Sequence, residues 1–251
     1  ALMIVSTDAI VLRTVNYSET SIIVTLFSKE SGKMTLMAKG ARKPKSSFAA
    51  QLEPMNILNI NYFHKDGRNI QLLKNSSFIE DSMSIRENFD SLNYGLTIVE
   101  ILDKLLHEND IDPIIFRLSI KILSALKSTQ INYEIVFSFF LLQLSVRLGF
   151  MPELNKCCNC FIYLEAAKFD EHQGELMCKN CVHGGEINFS VGTINLLKAL
   201  LKTHIDHLHA LKYDDENLKE LDSFLDYYSK FHLEGMSKVK SLKILRELVN
   251  G

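Results

Sequence analysis

No stretch of this 251-residue chain is apolar for long enough to cross a bilayer. The longest apolar segment, residues 135–150, is interrupted by Ser138, Gln143, Ser145 and Arg147 and reads as a buried helix. No basic-then-apolar leader precedes a small-residue cleavage site, so neither secretion nor a membrane is expected, and the cytoplasm is the expected compartment. Glycine-rich phosphate loops, Gly-x-Ser-x-Gly elbows and His-Glu-x-x-His helices are missing. So are internal repeats and low-complexity tracts. No nucleophile–base pair stands out, and the chain is not expected to be an enzyme. Cysteine is scarce, with five residues all between positions 157 and 181. What remains is an ordinary globular composition, 47% hydrophobic and 23% charged, with room for one large domain or two to three small ones.

The net charge of −2 hides an asymmetry. Through residue 80 there are ten basic against six acidic residues; thereafter eighteen face twenty-four. Lys33, Lys39, Arg42, Lys43 and Lys45 fall within thirteen residues that hold no acid, and Arg13, Arg68 and Lys74 could extend the patch. Such a cluster at the end of a strand suits phosphates, an attraction indifferent to base sequence. Tyr17, Phe48, Tyr62 and Phe63 are either stacking platforms for single strands or core filling. His204, His207 and His209 do not share a helical face and read as a solvated helix end.

Residues 1–80 alternate apolar and polar positions in five short runs separated by turn residues, as at Tyr17-Ser18-Glu19 and Asp66-Gly67. Five strands with no room for helical crossovers imply a small antiparallel barrel, either an OB-fold or an SH3-like one. From residue 81 the period becomes helical, with an apolar stripe from Phe89 to Leu106. Helix starts are expected at Asp112-Pro113, Asn132 and Ser190, with a helix end near Gly149, further helices over Leu218–His232 and Ser237–Leu248, and Asp214 and Asp215 as N-terminal charges. The reading is α+β: a barrel domain over 1–80, then a helical domain over 81–251 with a cysteine segment at 152–185 inserted.

Cys157 and Cys160, then Cys178 and Cys181, form two pairs with two-residue gaps, separated by seventeen residues. Two such turns supply four soft sulfur ligands, the set that suits a structural Zn2+. Residues 162–167 alternate and read as a strand leading to a turn at His172–Gly174, the hairpin of a zinc ribbon. Gly184 and Gly185 would let the chain turn behind the second pair. Cys158 is read as a bystander, and His172 and His183 as weak substitute ligands. Four sulfurs leave no open position for catalysis, and the deaminase pattern of a Glu upstream of Pro-Cys-x-x-Cys is absent.

The run Thr7-Asp8-Ala9-Ile10-Val11-Leu12, then Tyr17-Ser18-Glu19-Thr20, Val24-Thr25-Leu26-Phe27, Gly32-Lys33 and Lys39-Gly40-Ala41-Arg42-Lys43, resembles the N-terminus of the RecO family of bacterial DNA repair proteins. Leu52-Glu53-Pro54 fits the turn into that family's fourth strand. The cysteine pairs, preceded by Leu148-Gly149-Phe150-Met151-Pro152, resemble its zinc segment. The resemblance implies an N-terminal OB-fold, a helical body and a zinc knuckle. It implies a recombination mediator that binds single- and double-stranded DNA, anneals complementary strands, and acts with RecR and single-stranded DNA-binding protein in loading RecA. It carries Lys39, Arg42 and Lys43 over as DNA contacts and the four paired cysteines as ligands. Phe161 stands where the family often has glycine, and Cys158 is extra. A scaffold whose main work is partner binding is the alternative reading; a zinc hydrolase with an unfamiliar site is a third.

Overall fold

The computed structural model describes residues 3–181 and 188–249. Five strands come first: β1 (Met3–Asn16), β2 (Ile22–Ser28), β3 (Gly32–Ala38), β4 (Ile57–His64) and β5 (Ile70–Glu80), with a short α1 (Phe48–Gln51) between β3 and β4. Then follow α2 (Met83–Arg86), α3 (Phe89–Leu105), α4 (Pro113–Ala125) and α5 (Tyr133–Arg147). Three small strands, β6 (Ala167–Asp170), β7 (Glu175–Met177) and β8 (Asn188–Phe189), precede α6 (Val191–Lys202), α7 (Asp215–His232) and α8 (Lys240–Val249). The architecture is mixed α+β, strands first and helices after.

The order β1-β2-β3-β5-β4 closes on itself as a barrel. The β3–β5 seam is parallel and the other pairings are antiparallel. Val11, Val24, Leu26, Leu36, Leu58, Ile60 and Tyr62 fill the interior. Burial in β3 alternates residue by residue, as a strand with one wet face must. In β1 and β2 it does not alternate. Ile10, Leu12 and Phe27 are out of phase with the interior set and are also buried. Helices cover that outer face: α3 packs on β1 and β2, and Phe116 of α4 meets Phe27 edge to face at 5.6 Å.

This covering makes the compact units differ from the division at residue 80, where strand gives way to helix. The compact units are Ala1–Lys127 with Lys238–Gly251, and Ser128–Ser237. Strand gives way to helix at residue 80, but the barrel's outer apolar face recruits α2 to α4. The chain's last helix joins them across α3. Glu100 of α3 accepts hydrogen bonds from the backbone amides of Lys240 (3.1 Å) and Ser241 (2.9 Å), and so caps the N-terminus of α8 from another element.

In the second unit the helix starts fall where side chains cap them. Asn132 accepts from the amides of Glu134 and Ile135, Ser190 from Thr193, and Asp214 from Asn217. In the first unit Asp112 does the same ahead of Pro113. Helix α5 is buried from Ile135 to Leu142 without a break, and it packs against α6 and α7. The small sheet has the order β7-β6-β8. Its hairpin turns at residues 171–174 as expected, but strand β6 starts at Ala167, not at residue 162. Residues 162–164 are instead taken up by the cysteine turn: Cys157 donates its amide to Ile162 and Leu164 donates to Asn155.

Burial pushes the Glu100 carboxyl up, but the hydrogen bonds from Ser241 and Lys240 and the charge of Lys104 outweigh it and leave it below its ordinary value of 4.5. A folded pKa below the unfolded one stabilises the fold above about 4.5, and that contribution fades as pH falls through the lower folded value. Glu100→Ala is therefore expected to cost about 1 kcal/mol at pH 7, the ordinary worth of a helix cap. Urea unfolding of both proteins should show the difference narrowing below pH 4.5; a gap that widens in acid would contradict this cap.

Candidate metal centre and nucleic-acid interface

Two turns and a hairpin build the metal centre. In the first turn Phe161 donates its amide to Cys157 at 2.9 Å, which folds residues 157–161 into a loop around the sulfurs. The β6–β7 hairpin carries the second pair back: Cys178 directly follows β7, and Cys181 donates its amide to Cys178 at 3.0 Å. The sulfurs of Cys157, Cys160, Cys178 and Cys181 all lie within 4.8 Å of one another, and those of Cys160 and Cys178 are 3.7 Å apart. Four soft donors around one point can hold one metal ion.

Their protonation is shared. Burial opposes ionisation of Cys157, yet amide hydrogen bonds from Cys160, Cys178 and Asn159 bring its thiol down to about 6. Hydrogen bonds with Cys160 and Cys178 push Cys181 up to about 12. Sulfurs this close cannot all ionise unless a cation neutralises them. Cys158 stands apart: its Sγ faces Gln173 Oε1 at 3.8 Å, and burial and the nearby Cys157 and Glu175 push its thiol up. His172 lies in the exposed hairpin turn, outside the sulfur cluster. His183, Gly184 and Gly185 lie outside the described residues. His204 pairs with Asp206 at 2.9 Å in a 3₁₀ turn, Ile205–Ala210, and the three histidines form no ligand cluster among the described residues.

Phe161 carries a strain that the spacing of cysteines does not reveal. Its φ is +62°, in the left-handed region where a side chain costs about 1–2 kcal/mol. Glycine is free to adopt this backbone.

The basic segment is held as a rigid projection. Ala41 is fully buried in the barrel core; the turn that spans it and the turn that follows are closed by bonds from Lys43 N to Gly40 O and from Ser46 N to Lys43 O, each 3.1 Å. Arg42 ties the segment to the β1–β2 turn, its amide donating to Thr20 O at 3.1 Å and its guanidinium to Ser18 O at 2.6 Å. Lys39, Arg42, Lys43 and Lys45 are exposed, and no ion pair to any of them exists among the described residues.

Lys33 and Arg13 are placed differently. The Lys33 side chain is 13% exposed, and its ammonium donates to the carbonyls of Asp103 and Leu106 and lies 3.6 Å from the Asp103 carboxylate. Gly32 before it has φ +67°, and a β-carbon there would sit 2.3 Å from the Asp110 carbonyl oxygen, so the pair Gly32-Lys33 docks strand β3 on the 106–110 segment. Arg13 follows a bulge at Leu12 in β1, which turns it to Asp103 at 3.4 Å. Lys104 is a third cation on that carboxylate, at 3.2 Å. Of the aromatics, Tyr62 is buried in the core, Phe48 packs on it, Phe63 lies under Lys74 at 6.0 Å, and Tyr17 is exposed. Asp103 was the residue missing from the sequence reading; an acid inside the apolar stripe Leu102-Asp103-Lys104-Leu105 is the signal that marks it.

Family models match both parts of this arrangement: recombination protein O N terminal over residues 3–81, and recombination protein O C terminal over residues 86–243. The chain belongs to the recombination protein O family. Among curated relatives, the DNA repair protein RecO of Salinibacter ruber is 41% identical over 153 residues, 61% of this chain and 59% of that protein. That of Thermoanaerobacter sp. is 30% identical over 249 residues, 98% of this chain and 99% of the relative. That of Chlorobium limicola is 27% identical over 260 residues, spanning 99% of the chain and the whole relative. Family membership places the chain in DNA repair. No helix among the described residues is long and apolar enough to cross a membrane.

Three outcomes follow from the geometry. Asp103→Ala leaves Lys33 buried without its counter-charge and is expected to cost about 3 kcal/mol in urea unfolding, whereas Arg13→Ala, removing an exposed partner, should cost under about 1 kcal/mol; equal losses would refute the ranking. Phe161→Gly should raise the unfolding free energy of the metal-loaded chain by about 1 kcal/mol, strain relief net of the glycine's added freedom in the unfolded chain. If the four sulfurs hold an ion, Cys157→Ser should instead lose it and lower the melting temperature, read by metal content and calorimetry on the same samples.

Proposed function

We propose that this chain is a non-enzymatic recombination mediator that binds single- and double-stranded DNA through the barrel, anneals complementary strands and helps load RecA. The observation that carries the reading is the pinned basic segment. Lys39, Arg42, Lys43 and Lys45 are four cations fixed on one short projection, exposed and without carboxylate partners among the described residues. Phosphates bind such a projection without ordering it first. Lys33 and Arg13, spent on Asp103, hold the barrel to its helices in this reading and do not lead in DNA contact. The strand order and the basic projection support an OB-type module. Family membership supports RecR and single-stranded DNA-binding protein as partners, and the bacterial cytoplasm and nucleoid as the setting.

Zinc is the ion proposed for the sulfur site. Bonds of about 2.3 Å in a tetrahedron set sulfurs about 3.8 Å apart, and those of Cys160 and Cys178 stand 3.7 Å apart here. Four thiolates fill the shell, so the ion's role is to tie two loops together where little core is available, not to activate water.

The test is binding of a fluorescent oligo-dT across a salt series. Each phosphate contact contributes about 0.7 to the slope of log affinity against log salt for a single strand. Lys39→Ala, Arg42→Ala and Lys43→Ala combined should therefore lower the slope by about 2 and weaken binding most at low salt. An unchanged slope in the folded triple variant would remove the basic segment from the reading.

A further inference from the structure

The cysteine turn ends in three consecutive apolar side chains that face solvent: Phe161, Ile162 and Tyr163, with 71%, 51% and 78% of their surface exposed. None of the three is needed to fill a core. Phe161 also occupies the left-handed backbone position that glycine adopts without cost. A bulky ring kept at such a position, and not buried there, is kept for what it meets outside. The turn holds these side chains still, through the bonds Phe161 N to Cys157 O, Cys157 N to Ile162 O and Leu164 N to Asn155 O.

Their neighbours are cationic. Lys156 pairs with Tyr163 as an isolated antiparallel bridge and lays its ammonium over one face of the ring, 5.4 Å from the centroid. From Tyr163 a groove of about 640 Å³ runs past Lys168, Lys179, Asn180 and Val191. Lys156, Lys168 and Lys179 have no ion-pair partners among the described residues. Two acids border the groove; Glu220 is held by the amide and hydroxyl of Ser190, and Glu165 has no ion-pair partner among the described residues. Flat exposed rings interleaved with unpaired lysines are the two elements that hold an unpaired strand: bases stack on the rings and phosphates meet the ammonium groups. A purely apolar protein partner would leave the three lysines uncompensated.

We propose that this metal-clamped turn is a second single-strand contact, with bases stacked on Tyr163 and Phe161 and phosphates on Lys156 and Lys179. It rests on the DNA-binding reading above, but uses residues remote in sequence from the basic segment. Stacking needs unpaired bases, so the surface selects single strands over duplex.

The test compares oligo-dT and duplex binding by the metal-loaded full chain. Tyr163→Ala is expected to weaken oligo-dT binding roughly five- to a hundredfold, the range for losing one stacked base, with duplex affinity, metal content and melting temperature unchanged. Tyr163→Trp should restore it. Phe161→Gly should melt higher yet bind oligo-dT more weakly, a combination that a structural role cannot produce. Equal oligo-dT affinities for Tyr163→Ala, Phe161→Gly and the parent chain would overturn the proposal. If the parent itself showed no salt-dependent oligo-dT binding, the DNA-binding reading would fall with it; if the parent bound and only the basic-segment variant lost affinity, this inference alone would fail.

Discussion

One carboxylate organises the first unit. Asp103 is 6% exposed and faces Lys33, Arg13 and Lys104. At an effective dielectric of about 20, a pair at this distance is worth about 4 kcal/mol before desolvation, and the two carbonyls that Lys33 also reaches help offset the cost of burying its ammonium. The same residue decides which basic side chains are available. Those of β1 and early β3 are drawn inward to it, and those past the end of β3 are left to solvent. A cluster that looks continuous along the chain is thus split by one acid more than fifty residues away.

Much of the fold was legible because local rules and tertiary packing agree. Asn132, Ser190, Asp112 and Asp214 all cap helices, as residues with short acceptors ahead of apolar periods should. The extent of the compact units was not legible. The period switches at residue 80, but the outer face of β1 and β2 is apolar too, and whether such a double-faced strand is covered by the next helices or by a partner is a tertiary matter. Ile10, Leu12 and Phe27 carried the signal, as buried-type residues breaking the alternation.

At the cysteines, spacing alone picked out the four sulfurs that the fold brings together, because two-residue gaps leave few ways to converge. Cys158, one residue short of the two-residue gap to Cys160, was already set aside by spacing, and its sulfur turns to Gln173. The supposed strand at 162–166 failed for a related reason: a turn that wraps sulfurs spends its backbone amides on itself, and a ladder cannot begin until they are free. Of the alternating apolar residues there, Ile162 and Ala166 are exposed and Leu164 is buried, so they share no sheet face.

Both surfaces argued to meet DNA share a design. Each is a short loop with little core of its own, and each is tied down by something other than its own packing: Ala41 and the Ser18 and Thr20 carbonyls in one case, four sulfurs in the other. A flexible loop would lose conformational freedom on every encounter with a strand, at about 0.5–1.5 kcal/mol per immobilised side chain. Fixing the loop in advance removes much of that loss and leaves the cations and rings standing where a phosphate or base arrives. A metal ion on the four sulfurs would serve such binding indirectly: by closing the turn it would keep Phe161 in a backbone conformation that the residue otherwise avoids, with its ring in water.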